Sequence, residues 1–326
     1  MKSVTIVIPV LNEAKAIAAN MRQIMESVKS LGDTVDARIL VVDDGSRDDT
    51  VRIVQHLAET EPIVQVLVLT RNFGKEAAIH AGLDHASSDA VIVMDSDLQH
   101  PPALLPRMIQ LWREGLDVVE AYKIDRGGES WLSGLLAGGF YALFNRLAGF
   151  DLRNHSDFKL LDRKVVEAYC RLPERGRFFR GLITWMHFPS ARIPFEVPER
   201  RGSGSTWSRL RLVKYSLTII TSFSSLPLQA VGWAGALTFL ISMVLGTKAL
   251  YDKFMGRGVE GFPTVILLVL ILGSIIMFSI GIVGNYLARI YEEVKHRPSY
   301  LIDFRRSSAT GRQSADQAGK DGNAPV

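Results

Sequence analysis

Short runs of aliphatic and β-branched residues recur through the N-terminal third of the chain, each closed by a polar cluster. They are Val4-Thr5-Ile6-Val7-Ile8-Pro9, Arg38-Ile39-Leu40-Val41-Val42, Val64-Gln65-Val66-Leu67-Val68-Leu69 and Ala90-Val91-Ile92-Val93. Runs that are apolar throughout, rather than on alternate positions, fit strands covered on both faces. The stretches between them read as helices: one entered through Val10-Leu11-Asn12-Glu13, another beginning near Asp48-Asp49-Thr50. Strands alternating with helices predict an α/β fold with a parallel sheet. Asp117-Val118-Val119-Glu120-Ala121 reads as a further strand.

The pattern changes in the C-terminal third. An apolar stretch runs from about Leu228 to Leu250 with no charge before Lys248, and a second from Pro263 to about Ala288 carries none. Each reaches the ~20 residues that span a bilayer core. The loop between them, Tyr251 to Phe262, balances Lys253 and Arg257 against Asp252 and Glu260. The outer flanks are basic, with Arg209, Arg211 and Lys214 before the spans and Arg289, Lys295, Arg297, Arg305 and Arg306 after them. The positive-inside rule puts both flanks in the cytoplasm and the loop outside. Between Ser205 and Phe223, Trp207, Leu210, Leu212, Val213, Leu217 and Ile220 are interleaved with three basic residues. That mixture predicts an amphipathic helix lying at the membrane interface. The expected organisation is a catalytic domain over 1–204, an interfacial segment over 205–227, spans over 228–251 and 263–290 around an external loop at 252–262, and a cytoplasmic tail over 291–326. The tail is rich in Ser, Gly, Gln and Asp and is expected to be disordered after about Arg306.

Composition agrees. Of 326 residues, 47% are hydrophobic, and the mean hydropathy of +0.13 is high for a wholly soluble protein. A net charge of +4 suits an anionic partner. Because the positive charge sits mostly beside the spans, a phosphorylated lipid or membrane surface ranks ahead of nucleic acid. The single Cys170 forbids an internal disulfide and fits a reducing compartment. The N-terminus enters a strand directly, without the arrangement of a secretory signal.

The chemistry lies where the strands end. Ala90–Val93 runs into Met94-Asp95-Ser96-Asp97-Leu98-Gln99-His100. Two carboxylates one residue apart, with a carboxamide beyond them, are hard oxygen donors, and Mg²⁺ commonly uses one or two carboxylates together with substrate phosphates. The first strand ends at Asn12 and Glu13, the second at Asp43 and Asp44, and the third in the basic pair Arg71 and Lys75. Open α/β sheets bind ligands beyond the carboxyl ends of their strands. Helix capping accounts for one or two of these Asn and Asp residues, but not for all of them together.

In combination, Val7-Ile8-Pro9-Val10-Leu11-Asn12-Glu13, Val41-Val42-Asp43-Asp44-Gly45-Ser46, Arg71-Asn72-Phe73-Gly74-Lys75 and Asp95-Ser96-Asp97-Leu98-Gln99-His100-Pro101-Pro102 resemble the family 2 glycosyltransferases. More narrowly, they resemble the polyprenyl-phosphate glycosyltransferases, the group that includes dolichol-phosphate mannose synthase and bactoprenol glucosyltransferase. The resemblance covers roughly residues 3–300. It implies a GT-A fold, a nucleotide-sugar donor with UDP-glucose favoured, a divalent Mg²⁺ or Mn²⁺ on Asp95, Asp97 and Gln99, a polyprenyl phosphate acceptor, and inversion at the anomeric carbon. It places the enzyme in the inner membrane and is compatible with a homo-oligomer, a tetramer included. Glu13 and Asp44 would hold base and ribose, with Pro9, Leu11 and Val42 packed around them and Arg71 beside the nucleotide.

On the acceptor side, relatives often show two arginines spaced by three where this chain has Lys123 and Arg126. Arg offers the bidentate geometry a phosphate needs, while a solvated surface loop is the alternative for both. The segment His155 to Arg163 resembles the strand that carries an acidic residue near the acceptor, here Asp157. A phosphate monoester with a second pKa of about 6 is already largely ionised near neutrality. Asp157 is therefore read as an orienting group ahead of a general base, with an ion pair to Lys159 or Arg163 as the alternative. Glu174 to Leu182 offers Arg177 and Arg180. Arg200, Arg201 and Ser205 resemble a loop that closes over the diphosphate, or serve as juxtamembrane contacts to lipid. A processive membrane glycan synthase shares the nucleotide motifs, but this chain lacks the Gln-x-x-Arg-Trp signature and further spans. A catalytically inactive membrane scaffold is opposed by the intact Asp95, Asp97 and Gln99.

Overall fold

The structure is a computed structural model, and it describes residues 1–123, 156–195, 226–256 and 262–309. The chain divides into two compact units. Residues 1–141, 150–204 and 298–326 form the first, and residues 142–149 and 205–297 form the second. Arg126, Arg200, Arg201, Ser205 and the expected interfacial helix up to residue 225 lie outside the described residues, as does the tail beyond Ala309.

The first unit is built on seven described strands: β1 (Ser3–Val10), β2 (Asp36–Asp43), β3 (Val64–Val68), β4 (Ala90–Val93), β5 (Val118–Lys123), β6 (Lys159–Asp162) and β7 (Ser190–Phe195). Their order is β3-β2-β1-β4-β6-β5-β7. The strands from β3 to β4 are mutually parallel, and β6 runs antiparallel to both β4 and β5. The four expected apolar runs are β1 to β4, and the further expected strand is β5, which with β7 runs in the same direction. The antiparallel β6 is the departure from a wholly parallel sheet, and it brings Asp157 beside the end of β4. Lys123 belongs to β5, which runs past Ala121 and pairs Lys123 with Phe195.

Helices cover the sheet: α1 (Ile17–Lys29), α2 (Thr50–Thr60), α3 (Lys75–His85), α4 (Leu105–Arg113), α5 (Arg163–Arg171) and α6 (Phe179–Trp185). In β1, Ile6, Val7 and Ile8 are wholly buried, as are Val41 and Val42 in β2 and all of β4. This burial is why those strands read as continuous apolar runs, each such side chain contributing about 1.5–3 kcal/mol. Helix α3 approaches β1 so closely that a Cβ on Gly82 would collide with Val7. Helix α1 begins at Ile17, later than the sequence pattern implies, because residues 11–16 form a turn whose amides are claimed by the next loop.

After the long C-terminal helices the chain returns to this unit. Ile302 bridges Leu69 antiparallel. Thr70 N–H donates to the Leu301 carbonyl at 2.9 Å, and Asp303 N–H to the Val68 carbonyl at 2.8 Å. Val66 and Val68 N–H donate to Ser308 and Ser307 Oγ, both at 2.9 Å. The strap over residues 298–309 thus covers the exposed edge of β3, and ordered contact runs past Arg306 through Ala309. An uncovered edge would invite pairing with another chain.

The second unit holds α7 (Leu226–Phe254) and α8 (Phe262–Val294). Both are long and apolar enough to cross a membrane. Trp233, Phe239, Met277 and Phe278 are each more than two-thirds exposed. So much apolar surface on adjacent helices calls for lipid or another cover.

Candidate active site

The loops at the carboxyl ends of β1 to β4 are joined by side-chain hydrogen bonds. Asn12 N–H donates to Ser46 Oγ and Glu13 N–H to Thr50 Oγ1, both at 2.8 Å, and the Arg47 amide donates to Asn12 Oδ1 at 2.9 Å. Asn12 takes φ +54°, a left-handed conformation that Asn tolerates. Asp44, buried at the end of β2, accepts the Phe73 and Gly74 amides at 2.7 and 2.9 Å. Gly45 has φ +70°, and a Cβ there would collide with the Arg71–Asn72 backbone. Asp44 and Gly45 together hold the basic loop after β3 against the loop after β2. The Arg71 guanidinium lies 4.2 Å from the centre of the Phe73 ring, exposed at the mouth of this assembly. Pro9 and Val42 are buried and paired across β1 and β2, while Leu11 is exposed.

The loop after β4 carries the paired carboxylates. His100 is buried, its ring stacked on Phe158 with centroids 5.1 Å apart, and its Nδ1 accepts the Asp95 amide at 3.0 Å. Burial keeps this imidazole below its ordinary pKa, and so neutral. Leu98 takes φ +58°, unusual for a bulky side chain. That turn lets the Gln99 amide reach Asp97 Oδ1 at 3.1 Å, while Gln99 Nε2 donates to Asp97 Oδ2 at 2.7 Å. Burial, then the charges of Asp97, Asp48 and Asp95, push Glu13 above its ordinary range. Glu13 thus feels the charge of both carboxylates of the loop.

Lys75 opens α3, after Gly74 at φ +101°. Its ammonium lies 2.6 Å from Asp95 Oδ1 and 2.8 Å from Asp157 Oδ2. Asp157 is buried and gripped a second time by Arg180, whose Nε and Nη2 lie 2.6 and 2.8 Å from its two oxygens. Burial alone would raise the Asp157 pKa, but the hydrogen bonds and charges of Arg180 and Lys75 outweigh it and hold the carboxyl well below the usual range. The neighbouring Glu76 accepts the Phe179 amide at 2.9 Å and so fixes the start of α6, the helix that carries Arg180. Behind Asp157, Lys159 is buried against Glu120 at 2.6 Å.

Asp95, Lys75, Asp157 and Arg180 therefore form one connected chain of contacts, with the Asp97–Gln99 pair on the same loop as Asp95. Arg177 is engaged elsewhere. It donates to the carbonyls of Tyr169, Leu172 and Glu174 at 2.8, 2.7 and 3.0 Å, capping the end of α5. The expected ion pair of Asp157 with Lys159 or Arg163 is replaced by Lys75 and Arg180, because Lys159 pairs with Glu120 and Arg163 with Glu167. Lys75 was legible only as part of a basic pair, and Arg180 only as one of two arginines. Nothing local marks Glu76, since its partner Phe179 comes from a distant segment.

A mostly parallel sheet with acidic and basic groups gathered beyond one edge defines an α/β enzyme of GT-A architecture. The chain belongs to glycosyl transferase family 2, whose model matches residues 5–170. It is 37% identical over 301 residues to the bactoprenol glucosyl transferase of Shigella phage SfV, covering 92% of this chain and 97% of the relative. It is 36% identical over 303 residues to the prophage bactoprenol glucosyl transferase homolog of Escherichia coli K12, covering 92% and 98%. Among solved structures it is similar to glucosyl-3-phosphoglycerate synthase from Mycobacterium tuberculosis in complex with Mn²⁺, UDP and glucosyl-3-phosphoglycerate. That match has a TM-score of 0.47 and 22% identity over 67% of this chain and 76% of the other. The protein is a glycosyltransferase.

Proposed function

We propose that this enzyme transfers glucose from UDP-glucose to a polyprenyl phosphate, with inversion, from a catalytic domain on the cytoplasmic side of the inner membrane. The observation that carries the reading is the linkage of Asp95, through Lys75, to the buried Asp157 at the carboxyl edge of the sheet. Near full-length similarity to proteins named bactoprenol glucosyl transferase supports the lipid acceptor and the sugar. Helices α7 and α8 support residence in the membrane.

Asp95, Asp97 and Gln99 fit a divalent ion. They are oxygen donors on one turn, and the Lys75 ammonium on Asp95 Oδ1 stands where a positive charge is wanted. Two carboxylates and a carboxamide suit Mg²⁺ or Mn²⁺, which commonly takes further oxygens from diphosphate and water. When bound, the ion supplies charge stabilisation for the departing nucleoside diphosphate.

The chain's own groups do the rest. Glu13, Leu11 and Arg71 offer the accessible groups of the nucleotide side, with Pro9, Val42 and Asp44 buried beneath the strand ends that carry them. The acceptor phosphate oxygen attacks the anomeric carbon while the bond to the diphosphate breaks and the leaving oxygen keeps the electron pair. No proton need be removed from a phosphate that is already ionised, and Asp157, held far below the usual range, is a poor base. It orients Lys75 and Arg180 instead. Lys123, Arg126, Arg200, Arg201 and Ser205 are the candidates for holding the acceptor and the diphosphate.

The test is to incubate the purified full-length protein with undecaprenyl phosphate and a panel of nucleotide sugars, and to identify the lipid by mass spectrometry. UDP-glucose should yield a hexosyl phosphate lipid. Excess chelator or Asp97→Ala should cut the rate about a hundredfold or more, the scale of losing a group that stabilises transition-state charge. Undiminished activity in Asp97→Ala, or a product glycosylated on a sugar hydroxyl, would overturn the reading.

A further inference from the structure

Lys75 is the cation that touches both carboxylates at the centre of the assembly. Its Nζ is 2.6 Å from Asp95 Oδ1 and 2.8 Å from Asp157 Oδ2. The two acids differ in what else they have. Asp157 is 6% exposed and has a second cation, Arg180, at 2.6 Å. Asp95 is 27% exposed, stands two residues from Asp97, and its other close partner is the His100 ring, with Nε2 3.9 Å from Oδ2. The Lys75 side chain is 43% exposed, and its two contacts are to different acids, so one can be given up while the other is kept.

From this asymmetry we infer that Lys75 is a placeholder for the metal. It occupies Asp95 while the donor site is empty and must yield that oxygen when a divalent ion binds, staying on Asp157 as it does so. The inference rests on the reading of Asp95 and Asp97 as metal ligands. Without a cation there, Asp95, Asp97 and Glu13 would repel one another. With Lys75 there, the loop after β4 and the start of β6 stay drawn together. The same contact opposes metal loading, because a bound ion must displace an ammonium already in place. Lys75 is thus a positioning residue whose charge sets how tightly the empty enzyme takes up metal.

The consequence runs against intuition, since removing this residue should improve metal binding. In full-length detergent-purified protein titrated with Mn²⁺ alone and read by electron paramagnetic resonance, Lys75→Gln should bind Mn²⁺ about tenfold more tightly than the wild type. Removing a unit charge a few ångströms from the ion would be worth more in a fully enclosed site, and exposure reduces it. Lys75→Arg keeps the charge and should stay near the wild-type affinity. In an Asp95→Asn background, the Lys75→Gln effect should vanish, because the displaced contact is already gone. A merely structural role would lower Mn²⁺ affinity in Lys75→Gln or leave it unchanged, and either result overturns the inference. So does an equal gain in Lys75→Arg. If Asp97→Ala binds Mn²⁺ as tightly as the wild type, the metal assignment itself fails and takes the inference with it. If Asp97→Ala loses Mn²⁺ while Lys75→Gln gains nothing, only the placeholder role falls.

Discussion

Lys75 and Glu76 are adjacent residues that brace two sides of one site. Lys75 reaches the loop after β4 and the carboxylate ahead of β6. Glu76 accepts the amide that starts α6 and so sets where Arg180 stands. Burial first, and then the charge of Asp157, push Glu76 from its ordinary 4.5 up to about 7. The folded state therefore holds this proton more tightly than the unfolded chain does. The resulting stability is present in full below about pH 4.5 and is lost as pH rises through about 7. Glu76→Gln is neutral throughout and its side-chain oxygen can still accept the Phe179 amide. Relative to this variant, the wild type should lose on the order of 1–3 kcal/mol between about pH 5 and pH 8, measured by thermal melting of the detergent-solubilised protein at each pH. A wild-type-minus-variant difference that stays flat across that range would show that Glu76 ionises as an ordinary carboxylate.

Among the elements, the strap after α8 changes the account of the sheet most. β3 is an edge strand by strand order, yet its outward amides at Val66, Val68 and Thr70 are satisfied by Ser308, Ser307 and Leu301. The strap is anchored by Tyr300, which is buried among His80, His85 and Asp84 of α3 and donates its hydroxyl to Asp84 Oδ2 at 2.5 Å. The basic loop with Arg71 begins directly after Thr70, so the strap steadies the strand end that carries it. Tyr300→Phe should lower stability by about 1.5–3 kcal/mol, the cost of losing a buried hydrogen bond to a charged group. A melting temperature equal to that of the wild type would show that the anchor is idle.

At the scale of the whole molecule, the strap constrains topology. Residues 1–123, 156–195 and 298–309 contribute to the same compact unit, and the last segment is hydrogen-bonded to β3 of the first. Both must then lie on one side of any membrane, and an even number of crossings separates them. Helices α7 and α8, long and apolar enough to cross, would supply two. The basic flanks argue independently that this shared side is the cytoplasm. A reporter fused near Gly258 should therefore register outside and one fused after Ala309 inside, as judged by enzymatic reporters active in only one compartment. Opposite sides for the two ends of the chain would mean that one helix does not cross.

The parallel half of the sheet was legible because strands buried on both faces leave apolar runs in sequence, as in Ile6-Val7-Ile8 and Val91-Ile92-Val93. The two long C-terminal helices were legible because a bilayer imposes a length and composition that few soluble helices match. The acidic strand ends were legible because this architecture places them beyond one sheet edge. The partners of those acids were not. Sequence order separates Lys75 from Asp157 and Glu76 from Phe179, and only the antiparallel insertion of β6 beside β4 brings them together. Arg177 and Arg180 look equivalent in sequence, but Arg177 lies in the loop before α6 and turns back to the end of α5, while Arg180 stands in the first turn of α6 and reaches Asp157. The strap's place on β3 was hidden for the same reason: its hydrogen bonds use backbone and serine hydroxyls, which carry no signature until the edge they pair with is in place. Local pattern fixed which elements form and what chemistry stands at their ends. Long-range packing decided which charge meets which, because that depends on closure of the chain in space.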